Sequence, residues 1–272
     1  MLSKIEIYLQ FSEMKLLLLC IIIIQIFTVL CTKEKEIKRR RKAYVALHNE
    51  LRSKLAHGKS KDNGGSKMPK GQNIYKLEAN TSLESTAQEW ANGCLYEHSP
   101  KDQRNNAGQN IFQRCSTNSS QLEDLDNELT RGILKWWGEL EEFGYNRDLL
   151  ILGSDNQTGH WTQMAWANST SVGCGLSNCQ VKSDQCVYVV CNYFPPGNFK
   201  SELIYQKGKP CRKDSECTTY KPSKCDRKLG LCRRIAKDDE KEKKARTKVN
   251  KKENKSHTKE PSQVENENKY IL

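Results

Sequence analysis

The apolar residues of this chain follow different periods in different stretches. Leu16–Leu30 (LLLLCIIIIQIFTVL) is an almost unbroken apolar run of 15 residues. A membrane-spanning helix needs roughly 20 such residues, whereas the core of a secretory leader needs about 7–15. Further on, apolar positions recur every three or four residues. Tyr44, Leu47, Leu51 and Leu55 predict an amphipathic helix over 37–56. Leu83, Ala87, Trp90/Ala91 and Cys94 share one helical face behind Thr81-x-x-Glu84, which reads as a capping box. One more turn of that face brings His98. Leu122, Leu125, Leu129, Ile133, Trp136/Trp137, Leu140 and Phe143 predict a third helix. Between the first two, residues 57–72 hold four glycines and a proline and predict a loop.

In the second half the period shortens to two. Cys186–Phe194 (CVYVVCNYF) reads as a strand, with Val172–Cys179 as its partner. Sides alternate along a strand, so Cys186 and Cys191 point to opposite faces and should not bond to each other. Helical stretches followed by strands predict an α+β domain with helices covering a sheet. Residues 208–232 carry four cysteines and few apolar side chains, which describes an appendage held by disulfides. From Arg233 onward there is almost nothing to bury, and disorder is expected over 233–272.

Charge sharpens this division. The chain is +12 overall, but residues 32–42 and 233–272 carry +5 each, which leaves a nearly neutral body between basic flanks. A fold built to hold nucleic acid is thereby disfavoured. The flanks read as solvated linkers, or as adhesive segments for anionic glycans or membrane surfaces.

The apolar run fits residues 1–31 as a signal peptide. Val29 and Cys31 suit its cleavage site, so the mature chain would start near Thr32, and MKLLLLC points to Met14 as the true initiator. The competing reading is an uncleaved anchor, which the Lys33–Lys42 cluster favours because positive charge tends to stay cytosolic. Ten of the 12 cysteines lie between Cys94 and Cys232, an even number that suits export and disulfides. Sequons at Asn80, Asn118, Asn156, Asn168 and Asn254 are compatible with export as well.

Four segments carry a family resemblance: His48–Leu51 (HNEL), Gly108–Phe112 (GQNIF), Gly159–Gly175 (GHWTQMAWANSTSVGCG) and Tyr188–Phe199 (YVVCNYFPPGNF). In order and spacing they resemble the signature segments of the CAP superfamily. That group holds cysteine-rich secretory proteins, antigen five allergens, plant pathogenesis-related proteins and the venom-allergen-like proteins of worms. The resemblance covers about residues 43–200, and 201–232 resembles the short cysteine-bearing extension of arthropod and nematode members. It implies a three-layer α-β-α sandwich with an open cavity lined by two His and two acids. Carried over, these fall on His98, Glu139 and His160, with Gln109 where the family's Gly-Glu-Asn segment has its second acid.

Two imidazoles and two carboxylates could hold a divalent metal such as zinc. The neutral Gln109 removes one charge and cannot serve as a general base, so weak metal binding by His98 and His160 is the most the set implies, and no cofactor is required. The resemblance also implies the pairs Cys94–Cys179, Cys174–Cys191 and Cys115–Cys186. In the appendage, Cys211–Cys225 with Cys217–Cys232 is one of three pairings and the one expected. The Trp90, Trp136, Trp137, Trp161 and Trp166 set is expected to be core rather than ligand pocket.

Hydrolysis needs an activated nucleophile, a matched base and an oxyanion hole, and no Gly-x-Ser-x-Gly or HExxH occurs. The resemblance implies a secreted, extracellular, non-enzymatic protein that binds a sterol, a fatty acid, or host or prey proteins. The competing expectations are a metal-assisted hydrolase centred on His98, Glu139 and His160, and a channel-modulating toxin acting through the appendage.

Overall fold

The computed structural model describes residues 4–118, 122, 124–150 and 157–235. The N-terminal apolar run, the basic run and the first amphipathic stretch form one continuous helix, α1 (Lys4–Ala56). Its apolar run makes no core: Leu17, Ile24 and Phe27 are exposed, while Tyr44, Leu51 and Leu55 are buried. The basic run is part of the same helix and is paired inward. Arg39 and Arg40 bond Asp126, and Arg41 makes a two-pronged contact with Glu84 at 2.7 and 2.8 Å.

After α1 come the short strands β1 (Gly71–Gln72) and β2 (Glu78–Ala79), then α2 (Thr81–Asn92), β3 (Gly108–Ser116), α3 (Leu125–Phe143) and α4 (Gly159–Ala165). The hairpin β4 (Ser171–Val181) and β5 (Asp184–Phe194) follows, then β6 (Gln206–Lys207), β7 (Ser223–Asp226) and β8 (Leu231–Arg234). The central sheet runs β2-β4-β5-β3, antiparallel except for the β2–β4 pair. Along β5, Val187, Val189, Cys191 and Tyr193 join the core with α1 and α3, while Val190 packs with Ala87 and Ala91 of α2. Helices therefore lie on both faces of a single sheet, an α+β sandwich of three layers.

Two glycines permit the close approach of α2. A Cβ on Gly173 would stand 2.1 Å from the backbone nitrogen of Glu84, and one on Gly175 would stand 2.2 Å from the backbone of Gln88. Only hydrogen fits there.

Three boundaries differ from the pattern reading. The N-cap of α2 is Asn80, not Thr81: its side-chain oxygen accepts from the backbone N–H of Ser82 and Leu83. Glu84 is thereby free of the capping box and pairs with Arg41 and Tyr44. At the other end α2 stops at Asn92, and Cys94 takes a left-handed φ of 57°. The helical path is broken, so His98 does not continue the Leu83–Cys94 face. The third helix begins at Leu125, capped by Asp124, which accepts from Asp126 and Asn127; Leu122 packs on the core from the segment before it.

The five disulfides are Cys94–Cys179, Cys115–Cys186, Cys174–Cys191, Cys211–Cys225 and Cys217–Cys232. Cys115 faces Cys186 directly across β3 and β5, and Cys174 faces Cys191 across β4 and β5. The appendage docks on the body through Lys76 N–H to Cys232 O, Cys232 N–H to Ile74 O, and the Lys76–Asp226 ion pair. Arg233 and Arg234 belong to β8 rather than to the basic tail; residues 236–272 lie outside the described residues, as do Asn156 and Asn254.

Candidate functional site

Two adjacent residues at the start of β3 organise the site, because neighbours on a strand point to opposite sides. Gln109 is buried and takes hold of the loop after α2: its Oε1 accepts from the Ser99 N–H at 3.0 Å and faces His98 Nδ1 at 3.1 Å. Its Nε2 donates to Ser99 Oγ and to Asn192 Oδ1 at 3.0 and 3.1 Å. Asn192 is fixed in turn by Thr86 of α2. Asn110, the next residue, donates from Nδ2 to the backbone carbonyl of His160. One strand end thus reaches both histidine-bearing segments.

On the far side, Glu139 of α3 caps α4. Its Oε2 accepts from the backbone N–H of His160 and Trp161 at 3.0 and 2.9 Å, and its Oε1 faces His160 Nδ1 at 2.5 Å. A carboxylate at a helix start completes N–H groups that have no partner inside the helix. Trp136 stacks on the His160 ring with centroids 6.0 Å apart.

The two histidines have the same hydrogen-bond logic. An amide oxygen and a carboxylate oxygen can only accept, so each Nδ1 donates its proton, and in the neutral ring it is Nε2 that carries the lone pair. Desolvation of the His98 ring lowers its pKa; the Gln109 bond opposes this, and the charges of Arg104 and His160 add to it.

The donor set fits a metal only in part. Both Glu139 oxygens are already occupied, and Gln109 is neutral and saturated, which leaves two Nε2 lone pairs. Among the described residues, the only group of three or more His, Cys, Asp or Glu side chains with ligand atoms within 4.8 Å of one another is Cys211, Cys217 and Cys232, all of them disulfide-bonded. A closed structural zinc site needs four protein ligands, and the pair supplies two.

The family profile described as the cysteine-rich secretory protein family, CAP, matches residues 45–193. The chain belongs to the CAP family. Among curated relatives, the Ancylostoma secreted protein of Ancylostoma caninum is 31% identical over 71% of this chain and 43% of its own length. Venom allergen 5 of Microctonus hyperodae is 33% identical over 60% of this chain and 70% of its own. This CAP chain thus spans less than half of some of the curated relatives it matches. Among solved structures, BmVAL-1 is 36% identical with a TM-score of 0.65, covering 72% of this chain and 95% of that one. NaASP2, in a crystal structure with Zn2+, is 33% identical with a TM-score of 0.61, covering 71% and 94%.

One residue of this CAP domain escaped the pattern reading. Arg52, directly after the HNEL segment, is fully buried, and among the described residues its hydrogen-bond partners are backbone carbonyls. Its guanidinium donates to the carbonyls of Tyr75, Met164, Trp166, Ala167 and Ser169. Burial pulls its pKa down to about 9. It ties α1 to the turn that leaves α4, and so helps to place His160. Hydrophobic periodicity hides such a residue, since a charged position on a helix reads as solvent-facing.

A separate cavity of about 500 Å³ opens between α1 and α2, floored by Tyr44, Cys174 and Leu176 and rimmed by Arg41, Glu84 and Gln88. Trp136, Trp161 and Trp166 are buried in the core.

Proposed function

We propose that this chain is exported and acts by binding an extracellular partner, a sterol or fatty acid in the first instance or a host or prey protein in the second, without transforming it. The observation that carries this reading is the saturation of Glu139 and Gln109. Glu139 serves two backbone N–H groups and an imidazole, and Gln109 serves Ser99, Asn192 and His98. A general base must be free to take a proton from substrate; neither of these groups is, which leaves the imidazole Nε2 atoms as the groups a hydrolytic reading would have to use. The α1–α2 cavity lies in the size range of small-molecule pockets, and its floor is apolar enough to receive an acyl chain.

Export is supported by the 15-residue apolar run, the five disulfides and the secreted relatives. The flanks would supply a secondary affinity for anionic glycans or membrane surfaces, weakened by the inward pairing of Arg39, Arg40 and Arg41.

The test is retention of labelled palmitate or cholesterol by the purified secreted protein. Retention with 1:1 saturation is expected. Turnover of a peptide library that disappears in His160→Ala would replace binding by hydrolysis.

A divalent ion such as zinc is the second ligand this reading allows, held by the Nε2 atoms of His98 and His160 with the remaining positions left to solvent. That the NaASP2 structure was determined with Zn2+ supports a divalent ion as a ligand class. When bound, the ion would act as a Lewis acid. The chain's own part is to fix both tautomers through Gln109 and Glu139.

A further inference from the structure

We propose that Asn80 carries an N-linked glycan and remains the N-cap of α2 beneath it. The inference rests on the export reading above, and the two can fail separately. The sequon is Asn80-Thr81-Ser82. Its asparagine divides its amide cleanly: Oδ1 accepts from the N–H groups of Ser82 and Leu83 at 3.0 and 3.1 Å, whereas Nδ2 makes no hydrogen bond among the described residues. Thr81 and Ser82 are exposed, and Asn80 itself is half-buried. The atom that the cap needs and the atom that a glycan needs are therefore different.

The chemistry preserves that division. Nδ2 attacks the anomeric carbon of N-acetylglucosamine on a lipid-pyrophosphate-linked oligosaccharide of the secretory pathway. The new N–C bond forms as the C–O bond to pyrophosphate breaks, and Nδ2 gives up one proton. The product is a secondary amide that keeps its carbonyl oxygen, so both backbone bonds at the start of α2 survive.

The described sequon at Asn168 is less suited. Both hydroxyl residues that follow it are buried: Ser169 Oγ donates to Pro195 O and Thr170 Oγ1 to Phe194 O. The Asn168 carbonyl accepts from Tyr220 OH, at the contact between the body and the appendage.

Thr81 also lines the cavity between α1 and α2, so a glycan on Asn80 stands at the mouth of that cavity and faces whatever approaches it.

The test uses the full chain expressed through a eukaryotic secretory pathway, with protein taken from the medium. Enzymatic release of N-glycans in heavy-oxygen water should leave a labelled aspartate at position 80 in most molecules. Ser82→Ala should lose that label and one glycan's mass. Asn80→Asp should lose the glycan and keep the thermal midpoint of Ser82→Ala, which retains an unglycosylated asparagine at the cap, because aspartate caps a helix as well as asparagine does. Secreted protein with unmodified Asn80 overturns this inference and leaves the export reading intact. Protein found only inside the cell, with its leader attached and its thiols free, overturns the export reading and this inference with it.

Discussion

Glu139 holds His160 at two points at once, accepting from its backbone N–H with Oε2 and from its Nδ1 with Oε1. The first contact starts α4 and the second sets the tautomer. A single carboxylate therefore decides where the imidazole sits and which nitrogen it presents.

Replacing it separates the two roles. In Glu139→Gln the amide oxygen can still serve the backbone, but the NH2 group then meets Nδ1. His160 is expected to move its proton to Nε2 and lose the lone pair offered to a metal. Nitrogen chemical shifts of the ring should report the switch, and zinc affinity should fall in an isothermal titration. Loss of a charged acceptor should also cost about 1.5–3 kcal/mol of stability.

Acid should weaken the fold through His48. Its ring is buried, with Nδ1 donating to Tyr44 O and Nε2 accepting from Tyr193 OH, and burial pushes its pKa down to about 4. The unfolded chain takes up this proton from about pH 6.5 downward, while the folded chain resists until about 4. Stability should therefore fall as pH drops through that window and level off below it, by up to about 3 kcal/mol. His98, also shifted down, acts in the same direction. Urea midpoints measured from pH 7 to pH 4 should slope in the wild type and slope less in His48→Gln.

Arg52→Lys is expected to be severe despite keeping the charge. An ammonium cannot span five carbonyls arranged for a planar fork, and several buried acceptors would be left without partners at about 1–3 kcal/mol each. Calorimetry should show a large drop in melting temperature, with the His160 ring signals shifted because α4 loses its anchor.

Reduction should act unevenly. Cys115–Cys186 closes a span of 71 residues and Cys174–Cys191 one of 17. In the chain-entropy view the longer loop stabilises more, about 4–5 against about 3 kcal/mol. Paired Cys→Ala variants compared by denaturant midpoint should rank in that order.

How much could be read in the chain depended on the kind of residue. The β4–β5 hairpin and the face of α3 were legible because their partners lie on one continuous core, where alternation and three-to-four spacing are direct consequences of burial. Fold family followed from HNEL, GQNIF and the two longer segments. The ends of α2 were not legible: Asn80 and Thr81 are both good caps, and local spacing does not choose between them. Glu84 also looked like a capping residue, until Arg41, 43 positions earlier, is seen to claim it. Arg52 was invisible for the same reason, since its partners are carbonyls, which carry no side-chain signature.

The two cross-strand bridges leave β5 fastened to β3 by Cys115–Cys186 and to β4 by Cys174–Cys191, with the loop that follows α2 fastened to β4 by Cys94–Cys179. A peptidase that severs the segment between β3 and α3 would leave both pieces joined through sulfur. Every single cut between Cys94 and Cys191 is spanned in this way by at least one bridge and frees no fragment, which gives that part of the molecule endurance in a digestive fluid independent of its folding equilibrium.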